Sequence, residues 1–233
     1  MPEGVGKAFQ ERIGRKEPVE KEERRGISLL MNNVRRRLFE YLCVRPCSHL
    51  SDISKALKVS PNTAKWHLGK LREGQLVVSK ISGRRTLYYP MGLISQDSLK
   101  VFELLSERRM RELYVFLVDN PGSTQSNLAK SSKISSQTAT RSTQKLERLG
   151  LVSKIQDGIY TRYFPTDVLM KKREENFSRE KTFQKNILKR LDGEGLRPKV
   201  VRQASISLIV EVSLGAEKSI LNISTNPFST VLA

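Results

Sequence analysis

Apolar residues recur along this chain at two spacings, and the switches between them outline its elements. From about Asn32 to Val44, the positions Val34, Leu38, Tyr41 and Leu42 share one face of a helix, and Pro46 ends it. A second helix over about Leu50 to Leu57 turns Ile53 and Leu57 inward. Val59-Ser60-Pro61 then opens a third, because serine is a good N-cap and proline suits the first helical position, where its missing N–H costs nothing. Over Pro61 to about Glu73, Ala64, Leu68 and Leu71 recur at helical spacing and must face a core. The pattern next shortens to that of strands: Val77 to Ile81, a turn at Ser82-Gly83-Arg84, and a return over Thr86 to Tyr89, closed by Pro90.

The same series occurs twice. Shifted by 75 positions, residues 34–90 fall on residues 109–165 without a gap. Leu38 and Leu42 meet Leu113 and Leu117; Ser60, Thr63 and Ala64 meet Ser135, Thr138 and Ala139; Lys70-Leu71 meets Lys145-Leu146; Gly83, Tyr88 and Pro90 meet Gly158, Tyr163 and Pro165. Three helices followed by a two-stranded hairpin describe a winged helix-turn-helix, in which the third helix enters the major groove of DNA. The fold class expected is mainly α with small β wings (α+β): a first unit over 27–90, a linker helix over 91–108, a second unit over 109–165, and a C-terminal helix and β-hairpin over 166–233.

The stretch VSPNTAKWHLGKLREGQLV resembles the recognition region of ArsR- and MarR-like winged helices, in which an N-capping Ser and a Thr-Ala/Val pair precede His-Leu and a final Leu. VDNPGSTQSNLAKSSKISSQTATRSTQKLERLGLV resembles it too, and the whole chain is similar to archaeal transcription regulators with two such units in series. The resemblance covers residues 32–165 and implies nucleic-acid work without implying a target. The second unit departs from the pattern: Ser142-Thr143 stands where the first has His67-Leu68, which predicts a less firmly packed second recognition helix.

If Ala64, Leu68 and Leu71 point inward, the opposite face displays Asn62, Thr63, Lys65, Trp66, Lys70 and Arg72. The second copy offers Gln137, Thr138, Thr140, Arg141, Gln144, Lys145 and Arg148. Asn and Gln can pair bidentately with adenine and Arg with guanine, while Lys and Arg supply phosphate contacts. An outward Trp66 needs a reason; stacking on a sugar or thymine methyl, insertion into a protein pocket and folding back on the wing all remain open. Arg35 and Arg36, with Arg37, open the first helix, and Arg84-Arg85 tips the first wing, so both groups are expected to clamp phosphates; the second wing has only Arg162. Residues 34–90 carry 12 Lys/Arg against 3 Asp/Glu and residues 109–165 carry 9 against 4, which makes the first unit the expected stronger anchor.

Outside the repeats, residues 1–26 mix 7 basic and 6 acidic residues with little apolar content and read as a disordered charged arm. In the linker, Leu99, Phe102 and Leu105 predict a helix; 18 helical residues would span about 27 Å, near the separation of successive major-groove faces. Thr166 is a plausible cap for a helix over 166–192, whose Phe177, Phe183, Ile187 and Leu191 serve packing on the second unit or, alternatively, a homodimer through 166–233. Ile206, Leu208, Val210 and Val212 alternate within a strand over 203–213, paired after a turn with Ser219 to Ile223.

Composition agrees with this reading. The formal net charge of +18 points to a polyanionic partner, double-stranded DNA first. No run of about 18 apolar residues occurs, so no membrane association is expected, and the N-terminus lacks the apolar stretch of a secretory signal. Two cysteines cannot build a disulfide scaffold, which suits a cytoplasmic, nucleoid-associated protein. Cys43, Cys47 and His49 raise a metal-responsive reading, but zinc needs at least three ligands and the second repeat has Val118, Gly122 and Thr124 instead. No phosphate-cradling glycine loop, HExxH or Ser/His/Asp set occurs, so no enzyme, cofactor or metal site is expected. A second functional class stays open: an adaptor whose winged helices bind basal transcription factors or RNA polymerase.

Overall fold

A computed structural model of the chain describes residues 29–204 and 206–232; the expected arm over 1–26 lies outside the described residues. The first repeat consists of α1 (Asn33–Val44), β1 (Ser48–His49), α2 (Leu50–Leu57), α3 (Pro61–Glu73), β2 (Val77–Ser82) and β3 (Arg85–Pro90). The same order returns as α5 (Arg108–Asp119), β4 (Ser123–Thr124), α6 (Gln125–Ser131), α7 (Ser136–Arg148), β5 (Val152–Asp157) and β6 (Tyr160–Pro165). Each wing gains a third strand from before its second helix, giving sheets ordered β1-β3-β2 and β4-β6-β5, all antiparallel.

The repeat extends to backbone conformation. Cys47, Lys58, Gln75 and Gly83 all have positive φ, at 62°, 55°, 55° and 57°. Their partners 75 residues on, Gly122, Lys133, Gly150 and Gly158, do so as well, at 82°, 52°, 69° and 58°. Two pairs set a non-glycine residue against glycine, as expected where the left-handed region is required and a side chain there is a local cost. Caps match too: Ser60 Oγ accepts from Thr63 N–H at 3.0 Å, and Ser135 Oγ from Thr138 N–H at 3.2 Å.

Between the repeats, α4 (Gln96–Ser106) is shorter than the 18-residue helix read for the linker, about 16 Å long rather than 27 Å. It lies against the first repeat instead of acting as a spacer. Leu99, Phe102 and Leu105 are buried, the Lys80 ammonium donates to Glu103 at 2.8 Å, and the Ser82 hydroxyl donates to the same carboxylate. A helix of this length falls short of the separation of successive major-groove faces.

The C-terminal third corrects two further expectations. α8 (Val168–Gly193) starts beside the second repeat, where the Thr166 hydroxyl donates to the Gly150 carbonyl. Its N-cap position is Asp167, which makes no side-chain cap bond, while Thr166 Oγ1 accepts the Val168 N–H at 3.5 Å. Over 26 residues it rises about 39 Å and returns to the first repeat, where the Arg190 guanidinium donates to the Gly74 carbonyl and Phe183 packs by Gly92. Its buried stripe serves the first repeat at Phe183 and the C-terminal segment at Glu180 and Gln184, and Phe177 stays exposed. The expected hairpin is a three-stranded antiparallel sheet, β7 (Lys199–Ala204), β8 (Ser207–Leu214) and β9 (Glu217–Ser224), in the order β7-β8-β9. A single alternating run hid a chain reversal between Ala204 and Ser207. β9 lies along α1: Glu40 accepts the Asn222 backbone N–H at 2.8 Å, and the Thr230 hydroxyl donates to the Val44 carbonyl at 3.0 Å.

Where α8 meets the end of β9, a buried polar group joins them. The Glu180 carboxylate, 3% exposed, accepts from the Thr225 hydroxyl at 3.1 Å, and the Gln184 amide donates to Thr225 Oγ1 at 3.2 Å. Burial raises the Glu180 carboxyl above its ordinary range, partly offset by Thr225, Asn226 and Lys181. The folded chain then holds this proton more tightly than the unfolded chain. Its contribution to stability is complete below the unfolded carboxyl range and is lost as pH rises through the folded value. Glu180→Gln is expected to unfold about 1 kcal/mol later than wild type at neutral pH, with the gap closing near pH 4. Urea titrations across that range check it, and a gap independent of pH rules it out.

Candidate nucleic-acid interface

Ser60 and Pro61 start α3 in a defined direction, and Ala64, Leu68 and Leu71, each 0% exposed, fix its rotation. Asn62, Thr63, Lys65 and Arg72 are then exposed, and Gly69 and Lys70 half-buried. Trp66 is 58% exposed and stands edge-on to His67, with ring centroids 4.7 Å apart. It does not fold back into the core. His67 is buried, and its pKa is lowered by burial first and by the Arg35 charge second. Lys70 pairs with Glu73 at 2.8 Å, a surface contact of small energetic weight. Thr63 engages Ser60 with its hydroxyl as well as its backbone N–H, so it closes the cap before it can read a base.

The wing beside this helix presents Arg84 and Arg85, both exposed. Arg35, Arg36 and Arg37 do not form one cluster. Arg35 is half-buried near His67, Arg36 reaches the Met31 carbonyl and Asn33, and Arg37 donates to the Leu57 carbonyl at 3.1 Å. Sequence adjacency put them together; helical rotation of about 100° per residue parts them.

In the second repeat, Gln137, Thr138, Arg141, Gln144 and Lys145 are exposed on α7, while the Thr140 hydroxyl donates back to the Ser136 carbonyl at 3.0 Å. Thr143 fills the position of Leu68: it is 1% exposed, and its hydroxyl donates to the Thr140 carbonyl at 3.0 Å. Lys145 and Arg148 share an interrepeat groove with Glu103 and Glu107. Arg162 pairs with Asp157 at 2.5 Å and donates to the Gly122 carbonyl, so the single arginine of the second wing is engaged within its own sheet. That wing instead exposes Ile155, Ile159 and Tyr160, with Ile159 at 87%. This apolar tip was missed because Ile155 and Ile159 fit an ordinary strand and turn in sequence.

Cys43 and Cys47 are both buried with free thiols, and burial pushes the Cys47 thiol up to about 12. His49 caps α2, its Nδ1 accepting from Ser51 N–H at 3.3 Å. Among the described residues, no group of three or more His, Cys, Asp or Glu could hold a metal ion, and no helix is long and apolar enough to cross a membrane.

Comparison with known proteins agrees with this geometry. Residues 30–80 match the model of a helix-turn-helix domain, and residues 110–168 match the family described as sugar-specific transcriptional regulator TrmB. One match falls on each repeat, and both models describe helix-turn-helix or transcriptional-regulator families. The chain is 28% identical over 143 residues to an HTH-type transcriptional regulator of the archaeon Methanocaldococcus jannaschii, covering 61% of this chain and 36% of that one. It thus spans about a third of the length of that curated relative. Among solved structures it is similar to the transcriptional regulator SlyA, at 22% identity over 42% of this chain and 66% of that one, with a TM-score of 0.26. It is also similar to a ZitR variant from Lactococcus lactis, at 17% identity over 51% and 72%, with a TM-score of 0.24.

Proposed function

We propose that the chain is a sequence-specific regulator that binds double-stranded DNA through α3 and α7 and braces on the first wing. The observation that carries this reading is the outward face of α3. Asn62, Lys65 and Trp66 are held in the open by a fully buried opposite face, with Arg84 and Arg85 exposed on the adjoining wing. Amide and indole groups supply base-edge and stacking contacts, and the cations supply phosphate contacts. The first repeat is the stronger anchor, since its wing cations are exposed while Arg162 is engaged by Asp157. On this reading the protein acts in the cytoplasm, with the nucleoid. With about six phosphate contacts, the logarithm of duplex affinity is expected to fall against the logarithm of salt with a slope of about −5. Fluorescence anisotropy on a labelled duplex at several salt concentrations measures it, and a slope near zero overturns the reading.

A second reading has its own observation. The exposed Ile155, Ile159 and Tyr160 of the second wing suit a protein partner better than a phosphate backbone. Under it, the second repeat is an adaptor toward basal transcription factors or RNA polymerase, and its isolated substitution leaves duplex binding intact. A homodimer through residues 166–233 would use apolar side chains that α8 and the C-terminal sheet leave exposed, among them Met170, Phe177, Val201 and Ile220.

A further inference from the structure

Where the two repeats meet, a cleft of about 420 Å³ opens between α1 and α2 on one side and α4 and α5 on the other. Its walls are apolar: Val44, Pro46, Phe102, Leu105 and Val231 line it. Its charged lining is unbalanced, with Arg45, Lys55, Arg108 and Arg111 against the single carboxylate of Asp52. Arg108 is held by Glu112 at 2.7 Å, a residue outside the cleft. Arg111 is half-buried, and its pKa is lowered by burial first and then by the neighbouring Arg45 charge; Tyr41 and Glu112 counter this in part, and Arg108 adds to it. A guanidinium that is partly desolvated and repelled by its neighbours gains most from an added anion.

We propose that this cleft binds an amphipathic organic anion, a single carboxylate or sulfonate on an apolar body, with the anion at Arg111 and the body against Tyr41, Val44 and Ala56, which line the cleft and keep surface in the folded chain. The volume lies within the range of small-molecule sites, and an apolar lining with few charged groups is their usual make-up. A bare inorganic phosphate would leave the apolar walls unused. Because α1 and α2 come from the first repeat and α5 from the second, a bound ligand favours the relative setting of the repeats in which the cleft is closed around it.

The test uses the full chain and no nucleic acid, so it is independent of the DNA reading. The probe is 8-anilinonaphthalene-1-sulfonate, followed by fluorescence, with neutral N-phenyl-1-naphthylamine as its uncharged counterpart and decanoate as competitor. Saturable binding at one site, displaced by decanoate, is expected. Arg111→Gln should weaken the anionic probe by about ten-fold and the neutral one by less than about two-fold. Ala56→Phe, at an exposed position that lines the cleft, should weaken both by filling the space. Lys130→Gln, on α6 and outside the lining of the cleft, should change neither. The proposal is overturned if the anionic probe does not saturate, if it binds Arg111→Gln as it binds wild type, or if Ala56→Phe leaves both probes unaffected. If Arg111→Gln fails to fold, as judged by its thermal transition, Ala56→Phe with decanoate competition decides alone.

Discussion

Reversing charge at Lys65 and Lys70 together is expected to lower duplex affinity by on the order of 100-fold at moderate salt, since four units of charge change on the helix proposed to meet the phosphates. Both residues flank the buried stripe of Ala64, Leu68 and Leu71 without belonging to it, Lys65 exposed and Lys70 half-buried, so the core of the first repeat keeps its apolar side chains. The Lys70 to Glu73 pair is lost and two acids come to stand at i and i+3, which costs only about 0.5 kcal/mol of stability. Anisotropy on a labelled duplex reads the affinity, and circular dichroism checks that the helices persist. Arg84 and Arg85 retain residual, salt-sensitive binding. The same reversal at Arg141 and Lys145 is expected to cost less, because Lys145 already shares its groove with Glu103 and Glu107. Unchanged duplex binding by the Lys65 and Lys70 double variant would remove the DNA role of α3.

The second large effect concerns folding. Phe39→Ala is expected to destabilise the chain by about 3–5 kcal/mol, the cost of an aromatic cavity in a packed core, and to lower the thermal midpoint by roughly 10 °C. Phe39 is 0% exposed, as are Leu38, Leu42 and Cys43 on the same helix. A lone amphipathic helix buries one stripe; α1 buries more, because its own repeat packs on one side and β9 runs along another. Phe177→Ala, at an exposed position on α8, should cost less than about 1 kcal/mol. Denaturant titrations of the two variants side by side make the comparison. A Phe39→Ala cost below 1 kcal/mol would mean that α1 is not the shared support of the repeat and the C-terminal sheet.

Much of the candidate site was legible before any coordinates. Ser60-Pro61 and the spacing of Ala64, Leu68 and Leu71 set both the start and the rotation of α3, so the exposure of Asn62, Lys65 and Trp66 followed. Caps and periodicity are local signals, carried by residues within one turn of each other. The basic run at Arg35 to Arg37 misled, because neighbours in sequence leave a helix in three directions. Arg162 misled for another reason: its partners, Asp157 and the Gly122 carbonyl, are brought to it by sheet pairing.

The three helices and wing hairpin of each repeat, their duplication 75 residues apart and the outward face of each third helix were thus determined by the sequence alone, since each depends on contacts a few residues apart. Three things were decided only by the tertiary structure: that α8 crosses back to the first repeat, that β7, β8 and β9 form a sheet seated on α1, and that a charged cleft opens between the repeats. The physical reason is that apolar periodicity states that a face will be covered but is silent on what covers it. Hydrophobic burial is non-directional, and the choice among possible covers is made by the whole chain packing at once.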